Sequence, residues 1–187
     1  MGNFLNLKVK VVKYLEVREN AKSYRKVWNE ELRETIVNEL KKIIAQINLP
    51  AEIEIKEQLK NLEAIALTLG REESGIYEEL SNNVKRRFIK YNGMLVFQQL
   101  FNGKIMISIM YPFIEGLAKP KPPKTVEIIR PEEFKTAFLE RYMDIFLKEI
   151  TEWEDYDDDI PHKIGFQTNF QQSGVVDESD VAAREDS

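Results

Sequence analysis

The side chains best suited to catalysis are scarce in this chain: it has no cysteine, and His162 is its one histidine. Thiolate zinc sites, cysteine nucleophiles and disulfide frameworks are therefore excluded. His162 follows Pro161 inside an acidic segment, away from any stretch apolar enough to form a cleft, so a catalytic imidazole is not expected. Metal binding would have to come from carboxylates. Asp155, Asp157, Asp158 and Asp159 superficially suggest calcium, but the alternating oxygen ligands, central glycine and closing glutamate of a calcium loop are missing. The Gly70 to Gly75 stretch lacks the Lys-Ser or Lys-Thr ending of a phosphate cradle and reads as a loop. Glu72, Glu73, Glu78 and Glu79 read as solvated side chains. No catalytic residue, metal or cofactor is assigned, and a carboxylate-based enzyme stays open only as a site that folding would have to assemble.

Binding chemistry is better represented. Lys85, Arg86, Arg87 and Lys90 interleave with Phe88 and Tyr91 on one expected strand, and sheets that hold single-stranded nucleic acid combine cations with stacking rings in this way. Charge distribution tempers that reading. From Glu154 to Ser187 ten acidic residues face only Lys163 and Arg184, a charge of −8, so the whole-chain −5 leaves residues 1–153 at +3. Such a value is modest for a protein whose affinity would come largely from phosphates.

The 187 residues suffice for a single α+β domain, residues 1–153, followed by an acidic tail, 154–187, too polar to offset its chain entropy by burial and expected to be disordered. No apolar run approaches a membrane span or a signal peptide, and the absence of cysteine suits a cytoplasmic location.

Four stretches must position any site. Apolar residues at Tyr24, Trp28, Leu32, Ile36, Val37, Leu40, Ile43, Ile44 and Ile47 predict a helix over 23–47, closed by Asn48 and Pro50. Upstream, Leu5, Leu7, Val9 and Val11 alternate as in a strand, while Phe4, Leu7, Val11 and Leu15 recur at helical spacing; a helix over 3–17 is favoured because the alternation fails at Val12 and Leu15. Short strands are expected at 53–55, 65–69 and 125–129, and a helix from Pro131 to Trp153.

Between 85 and 114, Asn92-Gly93 and Asn102-Gly103 predict two tight hairpin turns in series, an antiparallel β-meander. Two-residue loops there pair Tyr91 with Met94, Ile89 with Val96, Phe101 with Lys104 and Val96 with Ile109. One face then carries Ile89, Tyr91, Met94, Val96, Ile105, Ile107 and Ile109 as core. The other exposes a semi-apolar set, Phe88, Leu95, Phe97, Met106 and Met110, too greasy for free solvation. The expectation is an α+β protein whose meander of about four to six strands packs on a long helix of the N-terminal half and a C-terminal helix. Its expected role is that of a non-enzymatic interaction or assembly subunit engaging a protein partner, self or other, through that face and the acidic tail. Nucleic-acid binding through Lys85, Arg86, Arg87 and Lys90 is the alternative.

Overall fold

The computed structural model describes residues 4–57, 59–80, 84–117 and 119–155, so His162, Asp157, Asp158 and Asp159 and the disorder expected of the tail beyond Asp155 lie outside the described residues. The chain is α+β, as its spacing predicts. Helix α1 (Leu5–Val27) runs through one π turn (Trp28–Leu32) into α2 (Arg33–Ile47), and Asn48 closes the rod with the left-handed φ of 52°. The stretch that alternated like a strand is thus helical.

Among the described residues eight strands follow: β1 (Glu52–Lys56), β2 (Ala64–Thr68), β3 (Arg71–Leu80), β4 (Val84–Tyr91), β5 (Met94–Gln99), β6 (Ile105–Met110), β7 (Phe113–Ile114) and β8 (Lys124–Ile129). A 3-10 turn (Pro131–Glu133) precedes α3 (Phe138–Glu154), so the C-terminal helix starts seven residues later than the proline predicted. The strands form an antiparallel five-stranded sheet, β1-β2-β5-β6-β8, and a separate three-stranded one, β3-β4-β7.

Asn92-Gly93 does not turn the chain. Tyr91 pairs with Arg71 and Met94 with Thr68, while the Asn92 amide donates to Gly70 O at 3.0 Å and the Leu69 amide to Gly93 O at 3.2 Å. Residues 64–80 and 84–98 are therefore one long hairpin, bent where Gly70 (φ 78°), opposite Asn92, and Gly93 (φ 91°), opposite Leu69, both take positive φ. Positive φ serves a corner here, not a reversal: the lower half joins the main sheet and the upper half leaves it as a ribbon. The predicted Tyr91–Met94 and Ile89–Val96 pairs accordingly do not form. Most of the Gly70 to Gly75 stretch, expected as a loop, belongs to β3, whose glutamates hide the strand because neither of its faces is strongly apolar.

The second hairpin exists, but its loop holds three residues, Phe101-Asn102-Gly103. Leu100 N donates to Lys104 O at 2.8 Å, and Gly103 takes φ 78°, the left-handed residue that closes such loops. One extra loop residue shifts the register by one, so Leu95, not Val96, faces Ile109. That slip exchanges the two faces of β5. Leu95 and Phe97, expected on an exposed partner face, are fully buried with Ile65, Leu67, Ile105, Ile107 and Ile109, under Ile36 and Leu40 of α2 and Tyr142 and Phe146 of α3. Met94 and Val96 move to the outer face beside Met106 and Met110, the expected members of that set that β6 does place there.

Trp28 fixes the rod on this core: its side chain is 0% exposed and its Nε1–H donates to Glu63 Oε2 at 3.1 Å. Gly103 fixes the rod from below, since a Cβ there would lie 2.8 Å from Ala21 O and 2.8 Å from Tyr24 Cβ. Gly103→Ala should therefore lose about 1–3 kcal/mol of stability from the strained φ and the clash, read as a lower urea midpoint; an unchanged midpoint would show that α1 does not rest on this loop.

Candidate functional site

The described residues hold no group of three or more acidic or histidine side chains placed to bind a metal ion. Carboxylates that do meet polar partners are engaged. Glu149 on α3 accepts from Tyr111 Oη at 2.5 Å and pairs with Lys124, while Lys121 sits 3.6 Å above the Tyr111 ring. Burial and the neighbouring Glu149 push the Tyr111 hydroxyl up to about 12. The hydrogen bonds from Lys124 and Tyr111 hold Glu149 below its ordinary value, which makes it a poor proton acceptor near neutrality. Glu127 on β8 is occupied in the same manner, accepting from Tyr142 Oη at 2.7 Å and from Arg141 at 2.5 Å. Both clusters pin β8 and the lysine-proline connector before it to α3. They read as fasteners, not as a reaction centre.

The basic strand lies on the ribbon, opposite an acidic one. Arg87 bonds Glu73 at 2.7 Å, Lys85 pairs with Glu79 at 3.5 Å, and Lys90 with Glu154 at 2.6 Å and Glu72 at 3.6 Å. Arg86 stands opposite Glu78 and over the Phe88 ring, 5.3 Å from its centroid. Over residues 71–91 five cations face four glutamates, so the field that would draw phosphates is small, which weakens the nucleic-acid reading. Tyr91 stacks on Phe113 at 4.8 Å, so one face of its ring is already engaged. Phe88 is half-buried beside Gly116. Phe88, on the ribbon, and Met106 and Met110, on the main sheet, thus belong to different sheets and form no common patch.

Among the described residues, exposed large apolar side chains concentrate elsewhere, on α1. Phe4, Leu5, Leu7, Val9, Val11, Val12, Tyr14, Leu15 and Val17 are each between 52 and 66% exposed. At 100° per residue they spread round most of the helix, with Phe4, Leu7, Val11 and Leu15 on one side and Leu5, Val9 and Val12 on another. Lys8, Lys10 and Lys13 lie among them, and no acidic residue precedes Glu16; Lys13 pairs with Glu16 at 3.0 Å. The first residue of α1 buried by the rest of the fold is Tyr24. Sequence reasoning missed this surface although the signal was present: a stretch that fits strand alternation and helical spacing at once is a helix apolar on more than one side, and such helices are normally enclosed.

No helix of the described residues is long and apolar enough to cross a membrane. Comparison with protein-family models, with curated proteins and with solved structures finds no match to the chain.

The Glu149 cluster sets a pH test. Its folded pKa lies below the unfolded value of about 4.3, so its contribution is fully present above that value and is lost as pH falls through the lower, folded one. Glu149→Gln should cost about 1 kcal/mol at pH 7 through the weakened charge-assisted bonds, and the gap from the unsubstituted protein should narrow progressively as pH falls below the unfolded value. A gap independent of pH would show that packing alone is lost.

Proposed function

We propose that the chain is a non-enzymatic interaction or assembly subunit whose contact element is the projecting part of α1. What supports this reading is the nine large apolar side chains of Phe4 to Val17, all more than half exposed on a helix with no buried residue before Tyr24. An isolated helix of about this length is marginal in water, and exposed apolar area of this extent is the mark of an interface. The expected semi-apolar sheet face contributes less, because Leu95 and Phe97 are core residues; Met106, Met110 and Ile128 form a secondary patch on the outer side of β6 and β8.

A photo-crosslinking amino acid at Val11 tests the reading in the native host. A discrete cross-linked product is expected from Val11 and none from Lys41, an exposed position on α2. Leu7→Asp with Val17→Asp, placed outside the folded core, should abolish the product and leave the urea midpoint of the body within about 0.5 kcal/mol. No product from Val11, or equal products from both positions, would contradict it.

A further inference from the structure

The occupant of α1 can be narrowed from charge and geometry, on the proposal that α1 is the contact element. We propose that it is the acidic segment leaving α3 of a second copy of this chain, Asp155 to Ile160, so that copies associate head to tail.

Charge disfavours the simplest alternative. The projecting part of α1 carries Lys8, Lys10 and Lys13 and no acid before Glu16, so two such tips laid side by side repel. A complementary occupant brings carboxylates together with apolar groups. Asp155-Tyr156-Asp157-Asp158-Asp159-Ile160 supplies both within one short segment.

Geometry then places this segment on another molecule. α1 leaves the body at the β5–β6 loop, where Gly103 meets Ala21 and Tyr24. α3 ends at the opposite edge, where Ile150 meets Gly93 and Glu154 pairs with Lys90. The six residues of β5 put about 20 Å between these ends. α2 runs back over the sheet, from Arg33 beside Glu63 to the turn that enters β1 opposite Met94. Its continuation α1 therefore points away, and Val11 lies about 20 Å beyond Tyr24 at 1.5 Å per residue. Some 40 Å thus separates Asp155 from the middle of the apolar stretch, whereas Asp155 to Ile160 spans at most about 18 Å when fully extended. The segment cannot reach its own helix. An interface joining two different surfaces is heterologous, and its repetition gives rings or open chains instead of a closed pair.

The test uses the full chain in sedimentation velocity across a hundredfold concentration range, with two charge-reversed variants. One carries Lys8→Glu, Lys10→Glu and Lys13→Glu; the other carries Asp155→Lys, Asp157→Lys, Asp158→Lys and Asp159→Lys. The unsubstituted protein should form species larger than a dimer as concentration rises, and 0.5 M salt should weaken them. Each variant alone should stay monomeric. Their equimolar mixture should associate again, because the aspartates of one variant meet the lysines of the other and the two reversed elements are complementary in turn. A mixture that remains monomeric, a closed dimer untouched by the aspartate reversals, or binding of the helix to phosphatidylserine vesicles in place of self-association would overturn the proposal. If the aspartate reversals leave association intact while Leu7→Asp with Val17→Asp abolishes it, only the identity of the occupant fails. If neither set changes it and Val11 gives no cross-link, the contact role of α1 fails as well.

Discussion

Trp28 is the fulcrum of the molecule. It sits where the continuous rod of α1 and α2 turns through a π segment, fully buried and hydrogen-bonded to Glu63, which Arg33 also approaches at 3.3 Å. On one side of it the rod has a core to pack on: Ile36, Val37 and Leu40 meet the inward face of the sheet, each side chain contributing about 1.5–3 kcal/mol through burial. On the other side the rod rests on Gly103 near Tyr24 and then continues into solvent with apolar side chains on most of its circumference. The same covalent rod is thus a core helix at one end and, among the described residues, an exposed one at the other, and the tryptophan marks the boundary.

A similar division runs through the sheet. One hairpin, bent at Gly70 and Gly93, gives its lower half to the five-stranded sheet and its upper half to a ribbon held by cross-strand ion pairs. Exposed pairs of that kind are individually weak, so the ribbon depends on the ladder itself and on the Tyr91–Phe113 stack at its root. The body therefore carries two projecting elements of different character, a basic apolar helix and a charge-balanced ribbon. Within the core one cost remains visible: the Gln99 side chain is 0% exposed and its amide finds no hydrogen-bond partner among the described residues.

Much of this was legible in the residues. The α2 stripe, the strands around Ile53, Ile65 and Val126 and the apolar face of α3 follow from spacing alone, because large apolar residues recur at the period of each element, even in β2, where Ala66 and Thr68 on the second side are buried too. What misled was the meaning of positive φ. Asn-Gly signals a residue pair able to adopt it, but Asn92-Gly93 uses it at a bend and Asn102-Gly103 in a loop one residue longer than the shortest hairpin. A single-residue error then inverted β5 and placed Leu95 and Phe97 outside. β3 was illegible for another reason: both of its faces are wet, so burial imposes no period on its sequence. The apolar surplus of residues 4–17 was plain, yet the sequence offers no way to tell that the remainder of the fold leaves it uncovered.

Hydrogen exchange of the backbone amides, followed at low and at high protein concentration, tests the central claim most directly. Amides of residues 9–19 should exchange quickly in dilute protein, as expected of a helix without tertiary support, and become protected when copies associate, while those of residues 36–44 stay protected throughout. Strong protection of residues 9–19 at every dilution would mean that this helix is already covered within one chain, contradicting its assignment as an open contact surface.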